Sequence, residues 1–184
     1  AAAAAAWQAP AGIGPPEDEV LPFVGSASSR SHPEAEGFRE EEEDRTTVVL
    51  QNLPPTYTRP VLVEALSREG FTRCFDFVYV PVDLVTGSAS GYAFVNFRTH
   101  DRARQALQIF DGFDRWSEPS DCVCHAYWST FCQGLDAHIE RYRNSPVMHE
   151  KVPDICKPMI LAFGAPAPFP APTKRLRMPR VRGK

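Results

Sequence analysis

The chain lacks any run of the roughly 18 or more consecutive apolar residues that a membrane-spanning helix needs, so its 184 residues offer no such helix. The six alanines at the start have neither the basic flank nor the apolar core of a signal peptide. Because the chain begins at Ala1 without an initiator Met, it reads as a fragment or a processed product, and the lack of N-terminal signals excludes little. Cysteine is sparse, odd in number and irregularly spaced: Cys74, Cys122, Cys124, Cys132 and Cys156. That pattern suits free thiols in a reducing compartment rather than a disulfide framework. Cys122, Cys124 and His125 hint at a metal site. A strand would point Cys124 and His125 to opposite faces, however, and no second Cys pair lies at zinc-finger spacing, so no metal is expected. The five His residues are scattered at 32, 100, 125, 138 and 149. There is no recognisable Ser/His/Asp or Cys/His arrangement and no phosphate-cradling glycine loop, which argues against an enzyme and against a cofactor. No internal repeat is visible.

What is present is strong charge asymmetry. The net charge of −3 conceals ten acidic and three basic residues in 1–45, thirteen and eleven in 46–163, and six basic residues with no acid in 164–184. Residues 1–45 are rich in Ala, Pro, Ser and Glu and end in EEEED; without apolar periodicity they read as a disordered acidic head. Residues 164–184 place four prolines ahead of KRLRMPRVRGK, which reads as an extended Pro-rich linker and a basic tail. One ordinary domain is therefore expected within 46–163.

Within that span, hydrophobic periodicity alternates between two repeats. TTVVLQNL at 46–53 is β-branched and stops at Pro-Pro, so it reads as a strand. Thr58 is placed to cap a helix through Leu62, Ala65 and Leu66 that ends near Gly70. FDFVYV at 75–80 reads as a second strand, DLVTG at 83–87 as a turn, and GYAFVNF at 91–97 as a third strand. Ala103, Ala106, Leu107 and Phe110 fall on one face of a helix starting near Thr99. CVCHAYW at 122–128 reads as a fourth strand. The order is β-α-β-β-α-β, an α+β, ferredoxin-like sandwich. Leu135, Ile139 and Tyr142 add a further helix within about 132–144, and ICKPMILAF at 155–163 is a short apolar run expected to pack back on the domain.

Helices cover one face of such a sheet and leave the other open. Strand alternation sends Ala93, Val95 and Phe97 inward and Tyr92 and Phe94 outward. Two wet aromatics side by side call for a covering ligand, and nucleobases suit them because each base has a π face, with stacking worth about 1–3 kcal/mol per base. Phe77 and Tyr79 of the second strand fall on the same face by the same count. Gln51 and Asn96 share it and are candidates for hydrogen bonds to base edges. Val49 is the outward position of the first strand. Tyr127 and His125 face the same way if the parity of the fourth strand holds. Trp116 and Trp128 are expected to pack the loop and the C-terminal helix. Lys174, Arg175, Arg177, Arg180, Arg182 and Lys184 suit phosphate contacts, and the same run looks like a nuclear localisation patch, consistent with a nuclear or cytoplasmic protein.

SGYAFVNF at 90–97 resembles the longer signature of the RNA recognition motif (RRM), VVLQNL at 48–53 resembles the shorter one, and D-x-x-T-G before the octapeptide is typical of that family. Ser90 stands where the family usually has Lys or Arg, and Val49 where an aromatic is common. TTVVLQNLPPTYT, FDFVYVPVDL, GFDRW, QG and NSPVMHE with KPMIL narrow the resemblance to the C-terminal RRM of the Mei-two-like meiosis regulators, over about residues 46–161. That resemblance implies the extra helix, the lack of an aromatic at position 49 and a domain whose work is RNA binding in post-transcriptional or meiotic regulation. Pro55 and Thr56 differ from the polar pair associated with that family in the first loop. The resulting expectation is a non-enzymatic single-strand RNA-binding module. The alternative is an RRM whose sheet lies under residues 132–163 and which binds protein through its helices.

Overall fold

A computed structural model describes residues 44–179. The acidic head falls almost wholly outside them, as do Arg180, Arg182 and Lys184 of the tail.

The elements follow the residues that build them. Strand β1 (Thr47–Gln51) is a β-branched run that stops where Asn52 takes a positive φ ahead of Pro54 and Pro55. Helix α1 (Arg59–Leu66) has proline in its first turn, where the missing N–H is not needed. Thr58 occupies the cap position, but its side chain makes no capping bond; the first turn closes through Leu62 N–H and the Thr58 carbonyl at 3.0 Å. A π-turn at Ser67–Phe71 ends the helix at Gly70, φ 90°. Strand β2 (Phe75–Tyr79) and strand β3 (Tyr92–Phe97) follow, joined by a turn in which the Asp83 carboxylate accepts from the N–H groups of Val85 and Thr86. Helix α2 (His100–Phe110) is capped by the Thr99 hydroxyl, which accepts from Arg102 N–H. Strand β4 is shorter than its apolar run suggests, His125–Trp128. Helix α3 (Leu135–Tyr142) comes next, then single 3-10 turns at Pro146–Met148 and Asp154–Cys156, and a hairpin of β5 (Met159–Ala162) and β6 (Ala165–Ala167).

The strands form one antiparallel sheet in the order β4-β1-β3-β2-β5-β6. The first four are the expected β-α-β-β-α-β sandwich. The apolar run at 155–163 does pack back, as a fifth strand beside β2. The Pro-rich stretch is not a free linker: Ala165–Ala167 pairs with β5, Phe169 packs against the sheet, and Thr173 is tied to the Asn144 side chain by three contacts of 3.0–3.3 Å. Pro166 is tolerated there because β6 is an edge strand.

One core lies between the sheet and α1/α2, with Val48, Leu50, Leu62, Leu66, Phe71, Val95, Phe97 and Phe110 fully buried. Trp116 sits edge-on against Tyr57 and Phe113 in the loop, as expected. Trp128 stacks on His100 at the start of α2, rather than on the C-terminal helix.

Candidate nucleic-acid interface

The register fixes which side chains share the second face of the sheet. Val49 stands opposite Phe94 and Tyr127, Gln51 opposite Tyr92 and His125, Tyr79 opposite Phe94, and Phe77 opposite Asn96. Directly opposed residues project to the same side, so the alternation read from the sequence places Tyr92, Phe94, Phe77, Tyr79, Val49, Gln51, Asn96, His125 and Tyr127 on one face.

That face is not open. Tyr92 is 7% exposed and Phe94 3%, and Phe77, Tyr79, Val49 and Asn96 are buried as well. All but Asn96 form a second apolar cluster with Tyr142, Val147, Val152 and Cys156. The expectation of a wet aromatic platform is thus corrected. The cause is mutual need: α3 presents Leu135, His138, Ile139 and Tyr142 at helical spacing, a stripe that must be covered, and the exposed sheet aromatics need covering too.

The contacts across this layer are aromatic. The His138 ring lies parallel on Phe77, with centroids 4.2 Å apart and an interplanar angle of 14°. Tyr142 sits 5.7 Å from Phe77 and 4.9 Å from Tyr79. The helix therefore fills the space above β2 with rings of its own, where a base would stack.

A buried polar network anchors the helix at the lower end of the face. Asn96 Oδ1 accepts from the Thr46 and Thr47 hydroxyls at 2.8 Å each, and Asn96 Nδ2 donates to Asp76 at 2.7 Å. The Asn96 amide is therefore engaged inside the protein instead of facing base edges. Gln133 Oε1 accepts from the backbone N–H groups of Thr46 and Thr47 at 2.9 and 2.8 Å. Thr47 Oγ1 lies 3.2 Å from His138 Nε2. Since the Thr47 proton is given to Asn96, His138 carries its own proton on Nε2 and donates it to Thr47. Its Nδ1 finds no hydrogen-bond partner among the described residues. Burial, with Arg141 nearby, holds the imidazole down at about 4, so it is neutral at pH 7. Burial pushes the Asp76 carboxyl the other way, above its usual value.

Lifting the cover exposes several large side chains, each stabilised by about 1.5–3 kcal/mol on burial; Tyr142, Val147 and Val152 alone amount to on the order of 5–9 kcal/mol. Two stacked bases contribute about 2–6 kcal/mol. On these magnitudes the cover stays in place.

What remains accessible on this face is its β4 margin: Gln51 and Tyr127 are half-buried and His125 is exposed. Lys174, Arg175 and Arg177 are also exposed, starting one residue beyond the Thr173–Asn144 tie and so leaving the domain beside the C-terminal end of α3. The buried Cys124 thiol is pushed up to about 12 by burial and is no nucleophile. Sequence reasoning missed His138, although its i+3 position from Leu135 was a readable signal. It also missed the hairpin, which Gly164 between two short apolar runs could have revealed.

The family model described as RNA recognition motif 2 matches residues 45–143. The chain is similar to Protein MEI2-like 4 of Oryza sativa subsp. japonica, at 30% identity over 148 residues, 77% of this chain and 14% of that one. It is similar to the Meiosis protein mei2 of Schizosaccharomyces pombe, at 32% identity over 147 residues, 72% and 18%. The chain thus spans less than a fifth of the length of these relatives. Among solved structures, the one titled "Structure of Rna15 RRM with bound RNA (GU)" is 20% identical, with a TM-score of 0.41, covering 51% of this chain and 93% of that one.

Proposed function

Because the chain belongs to the RNA recognition motif 2 family, we propose that it is a non-enzymatic module that binds single-stranded RNA. The observation that carries this reading is the overlay of the family match, residues 45–143, on the sandwich and on α3. With the aromatic centre of the face sealed, bases engage its β4 margin, at Tyr127, His125 and Gln51. The basic run Lys174, Arg175, Arg177, Arg180, Arg182 and Lys184 supplies phosphate contacts and salt-sensitive affinity. By the names of its relatives, the process served is meiotic or post-transcriptional regulation, in the nucleus or the cytoplasm. The test is fluorescence anisotropy of a labelled single-stranded RNA pool with the intact chain. Tyr127→Ala with His125→Ala is expected to weaken binding about tenfold, the range of one or two stacked bases, in a folded protein. A wild-type chain without measurable affinity for any RNA in the pool refutes the reading.

One observation favours a second reading. Tyr92 and Phe94 are buried in one cluster with Tyr142, Val147 and Val152, which closes the aromatic centre of the sheet to bases and favours a protein partner instead. Under that reading the outer side of the cover is the interface, and RNA affinity is absent while the fold is intact.

A further inference from the structure

The β5–β6 hairpin turns through two residues, Phe163 and Gly164, with Ala162 paired to Ala165. Both have positive φ, 53° and 86°, which is the backbone of the tight primed turn that Asn-Gly fits best. A bulky side chain at the first position strains the backbone, because its Cβ crowds the following carbonyl. Phe163 is nevertheless there, and it is 80% exposed. The residue thus carries two costs, a strained backbone and a wet aromatic ring, with almost no packing to offset them.

Its surroundings are cationic. The Arg98 guanidinium lies 5.3 Å over the Phe163 ring, on one face of it. Arg73 lies against Gly164: a Cβ at 164 would come within 2.7 Å of Arg73 Cγ, so the close approach requires glycine. Arg73 itself has a φ of 64°. Two of the three non-glycine residues with positive φ among the described residues therefore meet at this tip. Such strain persists where a ligand site demands it. Both arginines are exposed. Asp76, the carboxylate acting on Arg98, is half-buried and already accepts from Asn96.

We propose that this tip is a nucleic-acid contact: one base of a single-stranded RNA stacks on the free face of Phe163, and the adjoining phosphates pair with Arg98 and Arg73. A π surface with one guanidinium over it and a second exposed arginine rooted against the same turn matches a base with its neighbouring phosphates. The site lies at the rim of the sheet, outside the cover, and works while the central aromatics are sealed. It rests on the RNA-binding reading and gives it a location that the RRM signatures do not.

The test uses the intact chain and a fluorescein-labelled random single-stranded RNA across a salt series. Phe163→Asn restores the residue pair the turn favours, so its thermal midpoint is expected to equal or exceed that of the wild type. Its RNA affinity is expected to fall about fivefold or more, the loss of one stacked base, while Phe163→Trp keeps affinity. Arg73→Gln with Arg98→Gln is expected to reduce the slope of log affinity against log salt by about 1.4, two phosphate contacts on a single strand. A Phe163→Asn chain that binds within twofold of wild type overturns the proposal and leaves the RNA reading standing. So does one that loses stability, since the ring would then be structural, or one that loses a protein partner while RNA affinity is unchanged. Wild type without RNA affinity overturns both.

Discussion

The two faces of the sheet are covered by the same chain in different chemical materials. Toward α1 and α2 the layer is mostly aliphatic side chains and phenylalanine, with no histidine, carboxylate or basic residue among its buried members. Toward α3 it is tyrosine, histidine and phenylalanine rings set on an Asn96–Thr47–Asp76 network. The first face is held by area removed from water, which depends little on pH. The second is held by stacked rings and by buried polar groups whose partners must all be present. The first was expected from the fold; the second turns what resembles a binding platform into an interior.

The contrast is broken most strongly from the aliphatic side. Phe97→Ala, deep in the first core, is expected to lose about 3–5 kcal/mol by the lost transfer and the cavity left behind, read as a lower urea midpoint at all pH values. On the second face the loss depends on pH. His138 has its proton affinity lowered from 6.5 to about 4 in the folded chain, so the unfolded chain takes up the proton first. Stability is flat above about pH 6.5 and falls as pH drops through the window down to about 4, by about 3 kcal/mol from this group alone. Asp76, raised by burial, acts with the opposite sign. Urea melts of wild type and His138→Phe isolate the histidine: the variant keeps the ring on Phe77 and is expected to lose the slope. A wild type as flat as the variant would remove the distinction between the faces. Asn96→Ala, which strands Asp76 and two threonine hydroxyls, is expected to cost about 1–3 kcal/mol and to speed amide exchange in α3 before the rest of the domain. The smallest effect is electrostatic: removal of 174–184 leaves the urea midpoint unchanged within about 0.5 kcal/mol and flattens the salt dependence of RNA binding.

The elements of the sandwich were legible because period-two alternation and helical stripes are local signals. TVVLQ, GYAFVNF and the Ala103–Ala106–Phe110 stripe each announced an element and its buried side, and the parity that sent Tyr92 and Phe94 away from α1 and α2 holds. What alternation does not carry is the identity of whatever meets an outward residue. That depends on where a helix forty residues further along comes to rest, a long-range contact between α3 and β2. Asn96 shows the same limit: its side was readable, but its partners come from elsewhere in the chain, Thr47 from β1, Thr46 from just before it and Asp76 from β2. The tail was misread for a different reason. Proline density suggested an extended linker, and the backbone is extended, but an edge of the sheet was free to accept it.

The Gln133 side chain, bridging to Thr46 and Thr47 from 87 and 86 residues downstream, sets an order of events during synthesis. The first strand leaves the ribosome long before the residue that closes over its beginning, about 4 to 17 s earlier at ~5–20 residues per second. In the later part of that interval, once β2 and β3 have followed it out, the nascent chain shows water, and its neighbours, the aromatic surface that the finished protein hides.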